Sequence, residues 1–162
     1  MPVLAWAATI AALAAGVGFV TSAALAAPPK LVRRPCPKAS VVGSILGQPV
    51  SKPVKQIVVG IETCTYSGTG RHAQALATIA FQAVTPAEFF SSERGAARTT
   101  PGGITKLRGI GQGGWETNTA IFVRDGTQEV SVQAPTLTAV QPPAKVMAKL
   151  RALVRAILAS RS

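Results

Sequence analysis

The chain is poor in the side chains from which active sites are usually built. It holds one histidine, His72, and six carboxylates, at positions 62, 88, 93, 116, 125 and 129, against 17 lysines and arginines. A protein metal centre takes three or four ligands, and with a single histidine in the chain neither Cys36 nor Cys64 resembles part of a metal pair. No Ser-His-Asp or Cys-His set assembles from His72 and the single aspartate, Asp125, which a turn claims. His72, next to Arg71, reads as a surface residue at the edge of a strand. Carboxylate-pair hydrolysis needs two acids held about 5–10 Å apart. Six scattered acids indicate no such pair, and only the fold could bring Glu62 or Glu116 near another. Aromatic residues make up 5% of the chain, too few to interleave with the basic residues as base-stacking platforms. No catalytic residue, cofactor or metal ligand is therefore assigned.

What the chain has instead is positive charge. Every charged side chain lies beyond Ala27, so the remainder carries the whole formal charge of +11. Such a surface attracts polyanions. The expected partners are anionic envelope polymers or lipid head groups, while an apolar leader that signals export disfavours nucleic acid. Oligomeric state is left open.

That leader, Val3–Ala26, is 24 residues without a charge, about 36 Å as a helix and so long enough for a hydrocarbon core of roughly 30 Å. It ends Ala24-Leu25-Ala26, the small-x-small pattern of a signal-peptidase site. Residues 1–26 read as a signal peptide, or as an N-terminal membrane anchor if uncleaved. The basic residues Lys30, Arg33, Arg34 and Lys38 favour the cytoplasmic side for a domain C-terminal to an anchor, in conflict with export. The expected location is secreted or extracytoplasmic. No lipobox cysteine closes the leader.

Two cysteines in an exported chain are expected to pair. A Cys36–Cys64 bridge would stabilise by roughly 3–4 kcal/mol on the chain-entropy argument. The alternative is two buried thiols.

Residues 27–37, with four prolines and three basic residues, read as an extended tether, and 38–162 as a single α+β domain. Lys38–Leu46 puts Val41, Val42, Ile45 and Leu46 on one helical face, stopped by Gly47. Gln56–Gly68 reads as one strand ending at Ser67-Gly68, and Ala73–Val84 as its antiparallel partner. Thr85-Pro86-Ala87-Glu88 is a capping box, starting a helix to about Arg94 that Phe89 and Phe90 dock. Gly95–Gly103 reads as a loop and Lys106–Ile110 as a short strand. Asn118–Arg124 and Thr127–Ala134 form a hairpin with Asp125-Gly126 as its turn. Ala144–Ser160 is a helix turning Val146, Leu150, Leu153, Val154, Ile157 and Leu158 inward. The order α-β-β-α-(β)-β-β-α predicts an α+β fold, an antiparallel sheet with helices packed on it.

Two features invite a functional reading. Gly109-Ile110-Gly111-Gln112-Gly113-Gly114 satisfies G-x-G-x-x-G, yet a strand-like run from Trp115 to Thr119 stands where dinucleotide binding needs a helix N-terminus. A glycine turn is the better reading, with Trp115 either covering the core or exposed as an aromatic contact. The last helix carries Lys145, Lys149, Arg151, Arg155 and Arg161 around its apolar stripe, either as the solvated face of a core helix or as a cationic face for an anionic membrane. The ligand-contact candidates are Arg71, Arg108, Trp115, Lys149 and Arg155.

An apolar leader, Cys36 ahead of a short helix ending Leu46-Gly47, Cys64-Thr65-Tyr66 in a strand, the Leu107–Trp115 glycine segment and the closing amphipathic helix resemble the actinobacterial secreted and lipoprotein domains of unknown function. That group is similar in fold to PsbP/Mog-like α/β sandwiches and to the extracellular sensor domains of PknH-type kinases. The resemblance covers roughly Cys36–Ser160 and implies a disulfide-tied, non-enzymatic domain outside the membrane. The expected function is an exported cell-envelope binding or accessory module with a basic surface. The alternative is an envelope hydrolase with a carboxylate site assembled only in the fold.

Overall fold

The computed structural model describes residues 29–69 and 74–160. The leader and the expectations on Arg71, His72 and Arg161 lie outside the described residues. The fold is α+β, with seven antiparallel strands in one sheet of order β1-β2-β3-β7-β6-β5-β4 and helices packed on it. The elements run α1 (Ala39–Leu46), β1 (Val54–Val58), β2 (Ile61–Ser67), β3 (Ala75–Ala83), α2 (Pro86–Thr99), β4 (Thr105–Leu107), β5 (Gly114–Glu116), β6 (Ala120–Asp125), β7 (Gln128–Gln133), α3 (Pro135–Val140) and α4 (Pro143–Ala159).

Strand alternation assigns the two faces. One face carries Cys64 and Tyr66 of β2, Ile79 and Phe81 of β3, Val130 and Val132 of β7, and Ile121 and Val123 of β6. α1, α3 and α4 cover it, contributing Val42, Leu46, Leu137, Leu150, Leu153 and Val154 to the main core. On the other face Trp115 of β5 stacks on its cross-strand partner Phe122, ring centroids 3.9 Å apart, and α2 closes over them with Phe89 to form a smaller second core.

The start of α2 and the end of α1 obey the sequence signals. Thr85 and Glu88 form the capping box with both reciprocal bonds present. Gly47 ends α1 at φ 73°, where its N–H donates to Gly43 O at 2.9 Å, because glycine alone enters the left-handed region at no cost.

Five expectations are corrected. The stretch from Gln56 to Gly68 is a hairpin rather than one strand, since β1 folds back on β2 through Val59-Gly60, with Val58 paired to Ile61. Both turn residues have positive φ, 46° and 76°, as a type I′ turn requires. Valine is a poor residue there, and it is 96% exposed, so a continuous β-branched run concealed the turn. α2 continues to Thr99 through what reads as a loop, because Gly95 faces open space and costs a helix only about 1 kcal/mol. Its Phe90 is exposed rather than docked. The β6–β7 turn is Gly126-Thr127, since Asp125 pairs with Gln128; a positive φ at Gly126 and not at Thr127 is the II′ pattern with glycine first. α3 is an added helix between β7 and α4. In α4 Met147 joins the inward stripe, and Leu158, half-buried, packs against the main core.

Candidate functional site

The site is built on a strap. Residues 29–38 carry no helix or strand, yet they are fastened to the sheet at several points. Cys36 is bridged to Cys64 of β2. The buried Tyr66 hydroxyl donates to Pro37 O at 2.6 Å, Gln128 Nε2 donates to Val32 O at 2.8 Å, and Lys55 Nζ donates to Arg34 O at 3.1 Å. Prolines at 35 and 37 suit an extended run, having fixed φ and no N–H to satisfy.

Between this strap and the C-terminal half of α4 lies a groove of about 750 Å³. The strap gives one wall through Val32, Pro35 and Pro37, α4 gives the other through Leu153, Ala156 and Ile157, Val41 of α1 closes one end and Phe81 of β3 is the floor. Val41, which reads as an inward helix residue, instead sits on this rim at 42% exposure, with Val32 at 58%. The charged side chains lining the groove are Arg34 and Lys38, and no carboxylate lines it.

Arg34 is the notable group. Its side chain is 17% exposed, and its Nη2 forms an ion pair with Asp125 Oδ2 at 3.7 Å, longer than a hydrogen bond. Its guanidinium lies over the Phe81 ring, 5.8 Å from the centroid. Burial lowers its pKa, which reports a cation partly stripped of water. Arginine remains charged under such a shift.

The other candidates are placed as follows. Arg108 and Arg155 are exposed, on β4's C-terminal flank and on α4. Lys149 is occupied within the fold: its ammonium donates to Leu46 O at 2.6 Å and to Gln141 Oε1 at 3.2 Å, satisfying a carbonyl at the end of α1 where a cation is favoured. Trp115 is 5% exposed, so of its two readings the structure has the core one. In the sequence Arg34 reads as a tether residue and Lys38 as the start of the first helix, and both bear only on orientation across a membrane. Their signal is proximity to Cys36, since a bridge to the sheet draws its neighbours onto the fold.

The carboxylates are mostly neutralised. Glu62, fully buried, has Lys55 Nζ 2.9 Å from Oε1. This contact sets charge against charge without hydrogen-bond alignment, as neither carboxylate oxygen accepts a bond. Glu93 pairs with the exposed Lys106 at 3.0 Å. Glu116 receives two hydrogen bonds from Arg151, Nε to Oε2 at 2.9 Å and Nη2 to Oε1, and these raise the arginine's pKa. Replacing Arg151 by methionine would leave the buried Glu116 uncompensated. A loss of about 2 kcal/mol is expected in urea titration, with most of it recovered when Glu116→Gln is added.

Glu88 and Glu129 line one cleft of about 300 Å³ beside Trp115 and Phe122. Glu88 gives Oε2 to the Thr85 N–H at 2.7 Å, and this bond, then that from the Thr85 hydroxyl, lowers its pKa. Burial raises that of Glu129. A carboxyl whose folded pKa is raised costs stability once pH passes its unfolded value, 4.5. Glu129→Gln is therefore expected to raise thermal stability at neutral pH and to leave it unchanged below that value, as scanning calorimetry at the two pH values would read. Among the described residues no three His, Cys, Asp or Glu side chains gather as a metal site.

Comparison with protein-family models, with curated proteins and with solved structures finds no match for this chain.

Proposed function

We propose that the protein is an exported, non-enzymatic binding module of the cell envelope that takes a negatively charged ligand in the strap groove. One observation carries the reading: a groove of about 750 Å³, within the roughly 300–1,000 Å³ of ligand sites, whose charged lining side chains are both cations, in a chain of net charge +11. The leader and the Cys36–Cys64 bridge agree with an oxidising compartment. The likeness to actinobacterial secreted domains points the same way.

Fluorescence anisotropy with labelled dextran sulfate against neutral dextran tests the ligand's charge. Binding that weakens with salt and drops on Arg34→Ala with Lys38→Ala is expected; equal binding of the neutral polymer would refute the reading. Export is tested by intact-mass analysis of the cellular product, which should begin near Ala27 and lack the two thiol hydrogens.

A second reading, a carboxylate hydrolase, draws on Glu88 and Glu129 lining one cleft with opposed pKa shifts, the pattern of an acid beside a base. Its weakness is that Glu88 already holds the cap of α2. Turnover of a chromogenic glycoside that stops in Glu129→Gln would establish it.

A further inference from the structure

Charge explains only the rim of the groove. Below Arg34 and Lys38 the lining is hydrocarbon: Phe81 on the floor, Leu153 and Ile157 from α4, Val32 and Val41 at the edges. Large aliphatic side chains left 58% and 42% exposed, as Val32 and Val41 are, gain free energy when apolar matter covers them. A soluble polyanion would satisfy the cations and leave Val32 and Val41 in water, the deeper Phe81, Leu153 and Ile157 being already buried. A neutral hydrocarbon would cover the exposed valines and leave Arg34 with only its long ion pair to Asp125, at 3.7 Å. A molecule meeting both demands has an anionic end and an apolar body.

We infer that the groove is an amphiphile site, holding one alkyl chain along Val32, Val41 and Ala156 with its anionic head on Arg34 and Lys38. This rests on the reading of the groove as an anion site and adds the ligand's class: a single-chain carboxylate or phosphate, such as a fatty acid or a single-chain phospholipid. The volume, about 750 Å³, is at drug-like scale, which suits one chain rather than a lipid bundle. The head is held by a guanidinium fork, which matches carboxylate and phosphate oxygens two at a time. Lys38 is exposed, placing the head at the groove mouth and the tail inward.

The test uses the chain with its bridge intact and probes that separate chain from charge. Dodecanoate and dodecyl phosphate carry both, dodecanol the chain alone, and acetate and inorganic phosphate the charge alone. Native mass spectrometry should count one dodecanoate per protein, and competition against a fluorescent fatty acid should rank dodecanoate and dodecyl phosphate about tenfold or more above dodecanol, with acetate and phosphate not competing. The ratio between dodecanoate and dodecyl phosphate distinguishes a fatty acid from a phospholipid source. Arg34→Met should erase the preference for the charged head while the chain still binds. Ala156→Phe, which fills the groove, should abolish binding with the circular dichroism spectrum unchanged; should that variant not fold, Val41→Glu places a negative charge on the exposed rim and should weaken dodecanoate about tenfold.

Dodecanol binding as tightly as dodecanoate would overturn the head-group assignment, and a folded Ala156→Phe that still binds would overturn the site. If dextran sulfate binds through Arg34 and dodecanoate does not bind, the amphiphile inference falls and the anion reading stands. If neither binds, both fall.

Discussion

Cys36→Ser with Cys64→Ser is expected to lower the stability by about 3.5 kcal/mol. The figure is the chain-entropy value for a bridge that closes a sequence separation of 28 residues, a large part of the margin of a small domain. Urea titration reads it as a lower midpoint, and dithiothreitol should reproduce most of the loss in the natural chain while leaving the double variant unmoved. The structural consequence is local. Cys64 is fully buried in the sheet, but Cys36 belongs to a strap without helix or strand, so the bridge is the covalent fastening of one wall of the groove. The remaining ties are hydrogen bonds from Tyr66, Gln128 and Lys55, each worth about 1 kcal/mol net, against a backbone ordering cost of about 1–2 kcal/mol per residue. Ligand binding should therefore fall further than stability, because the strap detaches while the sheet persists. A loss below about 1 kcal/mol would show that those ties hold the strap by themselves.

Gly111→Ala is expected to destabilise by about 3 kcal/mol, and Gly109→Ala by about 1 kcal/mol. Both glycines belong to the dinucleotide-like motif and both have positive φ, 71° at Gly109 and 62° at Gly111, so each alanine meets the same backbone strain. Their surroundings separate them. A Cβ on Gly109 meets nothing within 4 Å, whereas one on Gly111 would lie 2.4 Å from Val123 Cγ1 and 2.6 Å from the backbone oxygen of Arg124. That oxygen cannot yield easily, since it accepts from the Gln112 N–H at 2.9 Å, while Arg124 N–H donates to Gly113 O at 2.9 Å. The glycines thus let the loop lie flat on the β6 end of the sheet. Thermal or urea denaturation of the two variants decides this, and equal losses would mean that strain rather than close approach sets the requirement.

How far the fold is legible in the sequence depends on whether the signal is local. The capping box at Thr85 and Glu88 is four consecutive residues, and it marks the start of α2. The end of α2 is hidden because Gly95, a loop signal in sequence, is tolerated on an open helix face. β1 and β2 read as one strand because Val59 is a β-branched residue in a turn that ordinarily takes asparagine or glycine. Trp115 stands undecided between core and surface until α2 is placed above it with Phe89. Lys149 looks like part of a free basic face, and only the packing of α4 beside α1 brings its ammonium to Leu46 O.

The candidate site is the least legible part. Its walls come from residues 32–41, 81 and 153–160, three stretches with no shared periodicity, and an alkyl-lined groove has no residue pattern of its own. What the sequence determined by itself is what periodicity, capping and composition encode within a few residues: the α+β class, the antiparallel hairpin around Gly126, the amphipathic face of α4, the pairing of its two cysteines and a surface of net charge +11. What only the tertiary structure decided is which of the cations are already engaged. Lys149, Arg151 and Lys55 meet close partners elsewhere in the fold, while Arg34, laid over Phe81 and ion-paired with Asp125 only at 3.7 Å, still lines the groove. The physical reason is that a charge's role depends on what stands within a few ångströms of it, and that distance is set by the folding of distant segments onto one another.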